Sequence, residues 1–98
     1  MAAKAQKRGD ALMQLANIGS AMRRDLAILG IDSVRQLAEC DADELYLRLN
    51  ERSGCRQDPC VCDVFAAAIH EARTGEATPW WQWTAERKRR HAAGSFRN

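Results

Sequence analysis

A single glycine separates two apolar helical patterns in the segment LANIGSAMRRDLAILGI, residues 15–31. On both sides of Gly19, leucine, isoleucine and methionine recur at three- and four-residue steps, and Gly30 closes the second pattern. Such steps put the apolar side chains on one face of a helix, and glycine interrupts helices. The spacing predicts two short helices, over about residues 10–17 and about residues 20–29, with a tight bend at Gly19.

Helix signals recur through the rest of the chain, and the period-2 runs of β-branched residues that would indicate strands are nearly absent. The segments SVRQ from Ser33 and DADE from Asp41 fit capping boxes, so a helix is expected to start at each. Asp58 followed by Pro59 is typical of a helix start, and the apolar stripe after it ends near Gly75. The pattern predicts an all-α protein in which this fifth helix packs centrally.

The segment WWQWTAERKRRHAA combines an aromatic cluster with a basic run. Trp80 and Trp83 share a helical face, so we expect them to pack onto the fifth helix, with Arg87–Arg90 pointing outward on a short basic helix. The alternative is that the tryptophans stack on nucleobases. We predict one compact five-helix domain with a tryptophan-anchored basic C-terminal helix over residues 10–90, and flexible termini at 1–9 and 91–98.

Length limits what the chain can do. Its 98 residues suffice for one modest core but not for a core and a deep catalytic cavity, so we expect no enzyme, no cofactor and no small-molecule substrate. No run approaches the roughly 20 apolar residues that span a bilayer, and the N-terminus MAAKAQKRGDALM lacks the apolar stretch of a secretion signal. The chain is therefore expected to be cytoplasmic, without membrane contact.

The net charge of +2 hides an uneven distribution of charge along the chain. Residues 1–9 carry a net charge of +3 and residues 84–98 carry +4, which leaves −5 on residues 10–83. Basic arms on an acidic body are typical of nucleic-acid contact, and equally of charged termini that keep a small protein soluble. Charge alone therefore leaves both interpretations open.

The predicted hairpin has the chemistry of an anion site. Backbone N–H groups at the start of its second helix, together with the positive end of the helix dipole, attract a phosphate. Ser20, Arg23 and Arg24 share one face of that helix, opposite the apolar stripe. Cations near a helix N-terminus are mildly unfavourable, so a bound phosphate would relieve a local conflict.

Several motifs, in order along the chain, resemble known families. The segments LANIG, LGI and DELY, at residues 15–19, 29–31 and 43–46, look like a helix-hairpin-helix domain. The segments GCRQDPCVCDVFAAA and PWWQWTAERKRR are similar to the bacterial pathogenicity-locus, or mitomycin-resistance-like, family. The first part of the chain also resembles the C-terminal domain of the competence regulator TfoX.

The resemblance implies a helix-hairpin-helix (SAM-like) fold, related to domains that bind DNA phosphates without reading bases. Gly19 matches the second glycine of the Gly-hydrophobic-Gly hairpin, and Asn17, which tolerates a left-handed backbone, replaces the first. By the same analogy the segment RSGCRQDP forms a degenerate second hairpin that carries Arg56. The DNA-binding residues so implied are Asn17, Ile18, Gly19, Ser20, Arg23, Arg24 and Arg56.

The cysteines are expected to be reduced and mostly buried because no secretion signal precedes them; they are Cys40, Cys55, Cys60 and Cys62. No metal site is expected, because in a helix that starts at Cys60 the side chains of Cys60 and Cys62 point about 200° apart. Only an irregular 55–62 segment with Cys40 alongside would allow zinc. A position near the helix start would lower the pKa of the Cys60 thiol, although no dyad partner is evident.

The interpretation that we favour is a non-enzymatic domain that binds DNA through hairpin backbone amides and basic residues, without sequence preference. The alternative is a protein-interaction module or a homodimer that uses the same helices and never touches nucleic acid. Both stay open at this point, because a fold shared with DNA-binding domains does not establish function.

Overall fold

The computed structural model describes residues 8–92 of the chain. Its elements in chain order are α1 (Arg8–Met13), α2 (Ser20–Ile28), α3 (Val34–Ala38), α4 (Ala42–Ser53), α5 (Cys60–Thr74), a 3₁₀ turn at Trp80–Trp83 and α6 (Thr84–Ala92). No strand occurs between residues 8 and 92, so the predicted all-α class, with five helices before a basic sixth, is confirmed. The termini predicted to be flexible lie mostly outside the described residues.

Helix α5 is the central element of the core. It contacts α3, α4, α6 and the 3₁₀ turn, which we call the tryptophan turn. The core is a single cluster to which α1, α2, α3, α4 and α5 contribute, and its fully buried members include Leu12, Leu26, Leu37, Leu45, Tyr46, Leu49, Cys62 and Phe65. None of the helices in the described range is long and apolar enough to cross a membrane.

The first helix is shorter than the apolar spacing predicts. It ends at Met13 instead of near residue 17, and the backbone N–H groups of Gln14, Leu15 and Ile18 each donate to the carbonyl three residues earlier. These bonds give tight turns in place of α-helix, yet Ile18 still enters the core. The predicted helix over 10–17 is therefore wrong in its second half, although its apolar residues face the predicted way.

Helices α3 and α4 start where the capping residues indicate. Ser33 Oγ accepts a hydrogen bond from the backbone N–H of Gln36 at 3.1 Å, and Asp41 Oδ2 accepts one from Glu44 at 3.0 Å. The Gln36 side chain in turn accepts from the backbone N–H of Asp32 at 2.8 Å. Side chains thus satisfy N–H groups that the first turn of a helix leaves without an intrahelical partner.

Helix α5 also begins and ends as predicted. Asp58 Oδ1 accepts a hydrogen bond from the backbone N–H of Cys60 at 2.8 Å, and Pro59 has a helical φ of −57°. At the other end Gly75 has a φ of +81°, a left-handed conformation that favours glycine and terminates a helix. Local chemistry at both ends therefore defines the length of the central helix.

Two arginines of α4 reach the C-terminal end of α2. Arg48 donates to the carbonyl of Leu29 at 3.2 Å, and Arg52 donates to the carbonyl of Ile28 at 3.0 Å. Cations are favourable at a helix C-terminus, where they satisfy carbonyls and complement the negative end of the dipole. These contacts join the C-terminal end of α2 to α4 and so orient α2 relative to α4.

The buried hydroxyl of Tyr46 generates a prediction about the α4–α5 loop. It donates to the carbonyl of Gln57 at 2.6 Å and ties this loop to α4. Tyr46→Phe removes the donor and keeps the ring, so we expect it to lower the free energy of unfolding by about 1 kcal/mol. Urea denaturation measures the change as a lower midpoint with an unchanged slope.

The matched control is Leu47→Ala, a truncation on the exposed side of the same helix. We expect it to stay within about 0.5 kcal/mol of wild type, as surface substitutions generally do. If Tyr46→Phe has the wild-type midpoint, the hydrogen bond to Gln57 contributes nothing to stability and the prediction fails.

Candidate nucleic-acid interface

The hairpin between α1 and α2 is attached to the C-terminal end of α5. The backbone N–H of Ala16 donates to Glu71 Oε1 at 2.9 Å, and the side-chain amide of Asn17 donates to the carbonyl of Thr78 at 2.8 Å. Asn17 is half-buried, so this side chain anchors the hairpin to the segment before the tryptophan turn. The predicted site residue Asn17 therefore has a structural contact of its own.

The hairpin does not adopt the left-handed backbone that the resemblance to helix-hairpin-helix domains implies at Asn17. No non-glycine residue in the described range has a positive φ, so Asn17 is not left-handed. Gly19 is extended, with φ −98° and ψ −173°, and any L residue can adopt this conformation. A Cβ added at Gly19 would meet no heavy atom within 4 Å. The fold therefore leaves open space at Gly19 and does not require glycine there.

The start of α2 is open to solvent. Gly19 and Ser20 are exposed, and no side-chain hydrogen bond in the described structure caps this helix start. Arg24 is exposed and Arg23 is half-buried, whereas Ile18 is 4% exposed and belongs to the core. Five of the predicted site residues thus lie beside one uncapped helix start: Asn17, Gly19, Ser20, Arg23 and Arg24. Ile18 lies in the core between them.

The charge of Arg24 is partly offset by the neighbouring carboxyl group. Partial burial raises the pKa of Asp25 above its ordinary value, and Arg24 opposes that rise. An exposed guanidinium beside an acid remains available to a phosphate, because such surface pairs are held by little free energy. Arg24 is accordingly the exposed cation of this part of the site.

The structure does not bring Arg56 to the hairpin. Arg56 is exposed in the loop before α5, whereas the hairpin contacts Glu71 near the other end of that helix. At 1.5 Å per residue, a helix of this length separates its two ends by about 21 Å. Arg56 could therefore contribute only as a second, separate point of contact.

Helix α6 turns its first arginine toward the core, which corrects the prediction that Arg87–Arg90 point outward. Arg87 Nε donates to Asp63 Oδ1 at 2.8 Å, and the two side chains are 8% and 0% exposed. Thr84 Oγ1 donates to the other oxygen of Asp63 at 2.8 Å. A buried carboxylate needs such partners, so the charge of Asp63 orients the helix.

A second ion pair lies one turn further along α6. Arg90 donates to both carboxylate oxygens of Asp43, at 2.9 and 2.7 Å, and Cys62 Sγ donates to the same carboxylate at 2.9 Å. The hydrogen bond to Asp43 raises the pKa of Arg90, which keeps the guanidinium charged. Lys88 and Arg89 are left as the exposed cations between the two pairs.

The sequence contains a signal for this arrangement. Thr84, Arg87 and Arg90 recur every three residues, so they share one face of α6, and Asp63 is an acid within the apolar run of α5. An acid in an apolar helix face is buried only with a partner. Reading these two patterns together would have predicted an inward-facing basic stripe.

The three tryptophans have different environments. The Trp83 indole donates to Thr78 Oγ1 at 3.0 Å, and its ring centroid lies 5.3 Å from that of His70. Trp80 is half-buried, whereas Trp81 is 64% exposed. The tryptophan turn packs on α5, as predicted for Trp80 and Trp83, but Trp81 remains at the surface.

The cysteines are free thiols, and only Cys62 is fully buried; Cys55 is exposed, and Cys40 and Cys60 are intermediate. The prediction that most thiols are buried is therefore wrong. The hydrogen bond with Asp58 raises the pKa of the Cys60 thiol, opposite to the lowering expected from the helix start. Within residues 8–92, no group of three or more histidine, cysteine or acidic residues could hold a metal ion.

The motifs that build the hairpin, α5 and the tryptophan turn fall within one family match. The pathogenicity-locus family matches residues 5–89 of the chain. The chain belongs to the pathogenicity-locus family. It is also 40% identical over 81 residues to the mitomycin resistance protein McrB of Streptomyces lavendulae, which covers 83% of this chain and 77% of that protein. No solved structure matches the chain.

The buried pair between Asp63 and Arg87 generates a stability prediction. Asp63→Ala leaves the guanidinium of Arg87 buried without its counter-charge, so we expect the free energy of unfolding to fall by about 3 kcal/mol or more. The double variant Asp63→Ala, Arg87→Met replaces both charges with apolar groups and should recover part of that loss. Thermal and urea denaturation measure both changes.

Lys88→Ala is the control, because it removes an exposed cation from the same helix. We expect it to change stability by less than about 0.5 kcal/mol. The prediction fails if Asp63→Ala is as stable as wild type, or if the double variant is no more stable than the single one.

The thiol of Cys62 generates a prediction about alkaline pH. Burial, followed by the hydrogen bond to Asp43, raises the pKa of Cys62 above its ordinary value of 9.0. Above that ordinary value the unfolded chain releases a proton that the folded protein retains, so stability falls as pH rises. Cys62→Ala should flatten this decrease, measured as the urea midpoint between about pH 8 and 10. Cys55→Ala, at an exposed thiol, should leave the decrease unchanged, and equal slopes for all three proteins would contradict the prediction.

Proposed function

We propose that the chain is a non-enzymatic bacterial domain that binds DNA through its phosphates, without sequence preference, at the start of α2. The observation that carries the proposal is the exposed helix start at Gly19 and Ser20, which no side chain within the described residues caps. The first backbone N–H groups of a helix have no intrahelical acceptor, and the dipole makes this end positive. Both properties favour a bound phosphate.

The open space at Gly19 supports close approach of a phosphate. Neither the φ of Gly19 nor a neighbouring atom requires glycine at this position. A Cβ at Gly19 would occupy open space next to the exposed helix start, and glycine leaves this space free for a phosphate that approaches the backbone N–H groups. The fold does not need glycine at this position, whereas a bound phosphate would benefit from the missing side chain.

The distribution of charge supports a local, modest interaction. Arg23 ends the first turn of α2 and Arg24 begins the second, so both cations lie close to the positive end of the helix dipole. A cation there is unfavourable by up to about 1 kcal/mol, and a bound phosphate would reverse this effect. Arg87 and Arg90 pair with Asp63 and Asp43, so two of the cations of α6 are already engaged within the protein. We expect micromolar or weaker affinity with strong salt dependence, because phosphate binding releases counterions.

The resemblance to helix-hairpin-helix domains also supports phosphate binding by the hairpin. In that fold the hairpin contacts phosphates with its backbone, and here the hairpin offers one glycine and an uncapped helix start. Sequence-independent contacts to phosphates position a protein on DNA but do not specify bases. The proposed domain therefore tracks the DNA backbone.

One cleft has a volume of about 380 Å³ and lies between the start of α4, α5 and α6. Its charged groups already have partners within the protein: Arg90 pairs with Asp43, His70 lies 2.8 Å from Glu76, and Arg73 donates to two backbone carbonyls. The two arginines of the cleft are therefore held by contacts within the fold, which leaves less of their charge for a small anionic substrate.

A protein-interaction module or homodimer is the second candidate. Among the residues whose burial the structure describes, four large apolar side chains are more than a third exposed: Met13, Ile28, Leu47 and Trp81. Exposed apolar groups of this size favour a protein partner when they form one patch. Sedimentation of the wild-type chain, alone and mixed with DNA, distinguishes the DNA-binding domain from the interaction module. A stable dimer that DNA does not change supports the interaction module.

The DNA proposal predicts that binding and stability separate at Gly19. Gly19→Ala fits the backbone and meets no atom, so the fold should persist, with a loss of stability of about 1 kcal/mol at most because alanine is a poorer N-cap than glycine. The added methyl group takes up part of the space that we assign to the phosphate, so we expect roughly a fivefold loss of affinity for DNA, which is about 1 kcal/mol. The double variant Arg23→Ala, Arg24→Ala should reduce the slope of log affinity against log salt by about 2.

Titration of the labelled protein with duplex and single-stranded DNA in low salt, followed by NMR, measures these effects. Arg35→Ala, which removes an exposed cation on α3, is the control for non-specific charge and should keep nearly wild-type affinity. Absence of shifts at residues 19–24 in the wild type would overturn the proposal. So would wild-type affinity in the Gly19→Ala protein.

A further inference from the structure

Trp81 is the tryptophan that packing does not explain. It is 64% exposed, whereas Trp83 is held by a hydrogen bond to Thr78 and a contact with the His70 ring. Trp80 meets Trp81 edge to face, with ring centroids 5.9 Å apart and planes at 85°. Such an edge contact supports one side of the ring and leaves a face of the exposed indole available.

The hydrogen bond of Asn17 joins the hairpin to the segment that leads into the tryptophan turn. Asn17 donates to the carbonyl of Thr78, three residues before Trp81, and Gly19 follows two residues after Asn17. Chain geometry across this contact limits the distance between Gly19 and Trp81 to less than about 30 Å. That distance is within the reach of the 4 to 16 nucleotides, roughly, that single-strand binding folds contact.

We propose that Trp81 stacks on an unpaired base of a strand whose phosphates lie at the start of α2, and that single-stranded DNA is the preferred ligand. This inference rests on the proposed function. Inside a duplex the base faces are covered by their neighbours, so an exposed indole gains a stacking partner only where a base is unpaired. Stacking tolerates every base, which agrees with a site that does not read sequence.

The test compares a fluorescein-labelled thymidine 15-mer with a duplex of the same length, using the full chain in low salt. Trp81→Ala should bind the single strand about 5-fold to 100-fold more weakly than wild type does, with little change for the duplex. Trp81→Phe keeps an aromatic face and should stay within about threefold of wild type. Leu47→Ala, at an exposed apolar residue on α4, should bind like wild type. Circular dichroism and the urea midpoint confirm that each variant is folded.

Each result has a defined meaning. Equal single-strand affinity for wild type and Trp81→Ala overturns this inference, and so does a Trp81→Phe protein as weak as Trp81→Ala. In both cases retained binding to the duplex would leave the proposed function standing. Binding to neither DNA overturns both proposals. A wild-type dimer that Trp81→Ala converts to a monomer would instead assign Trp81 to self-association, against the inference.

Discussion

The carboxylate of Asp63 is buried within α5, and the position of the C-terminal part of the chain depends on it. Both oxygens accept hydrogen bonds from one helix, one from Thr84 and one from Arg87. An ionised carboxylate without such partners would be strongly unfavourable in this environment. Because α5 also contacts α3, α4 and the tryptophan turn, this pair connects α6 to the centre of the core.

The two ion pairs of α6 change where the positive charge of the protein is exposed. The sequence has a basic arm after an acidic body, but Arg87 and Arg90 neutralise acids of that body. The exposed positive charge of α6 is reduced to Lys88 and Arg89. The net charge summed along the sequence therefore overstates the positive charge that α6 offers to an anionic partner.

The features predictable from sequence are those that depend on neighbouring residues. The caps at Ser33, Asp41 and Asp58 defined three helix starts, because their hydrogen bonds reach only two or three positions along the chain. The end of α1 was missed because apolar residues three apart fit both an α-helix and the tighter turns found after Met13. The anchoring of Asn17 could not be predicted from local patterns, since its partner lies 61 positions away. The orientation of α6 needed two patterns read together, because Asp63 lies 24 positions before Arg87.

The two ends of α2 are treated differently by the rest of the fold. Arg48 and Arg52 cover the carbonyls at its C-terminal end, whereas no side chain among the described residues caps its N-terminal end. One pole of the helix dipole is thus compensated inside the protein, and the other faces solvent. A peptide dipole does not titrate, so the attraction of this helix start for anions is the same in acidic and alkaline solution and responds mainly to ionic strength.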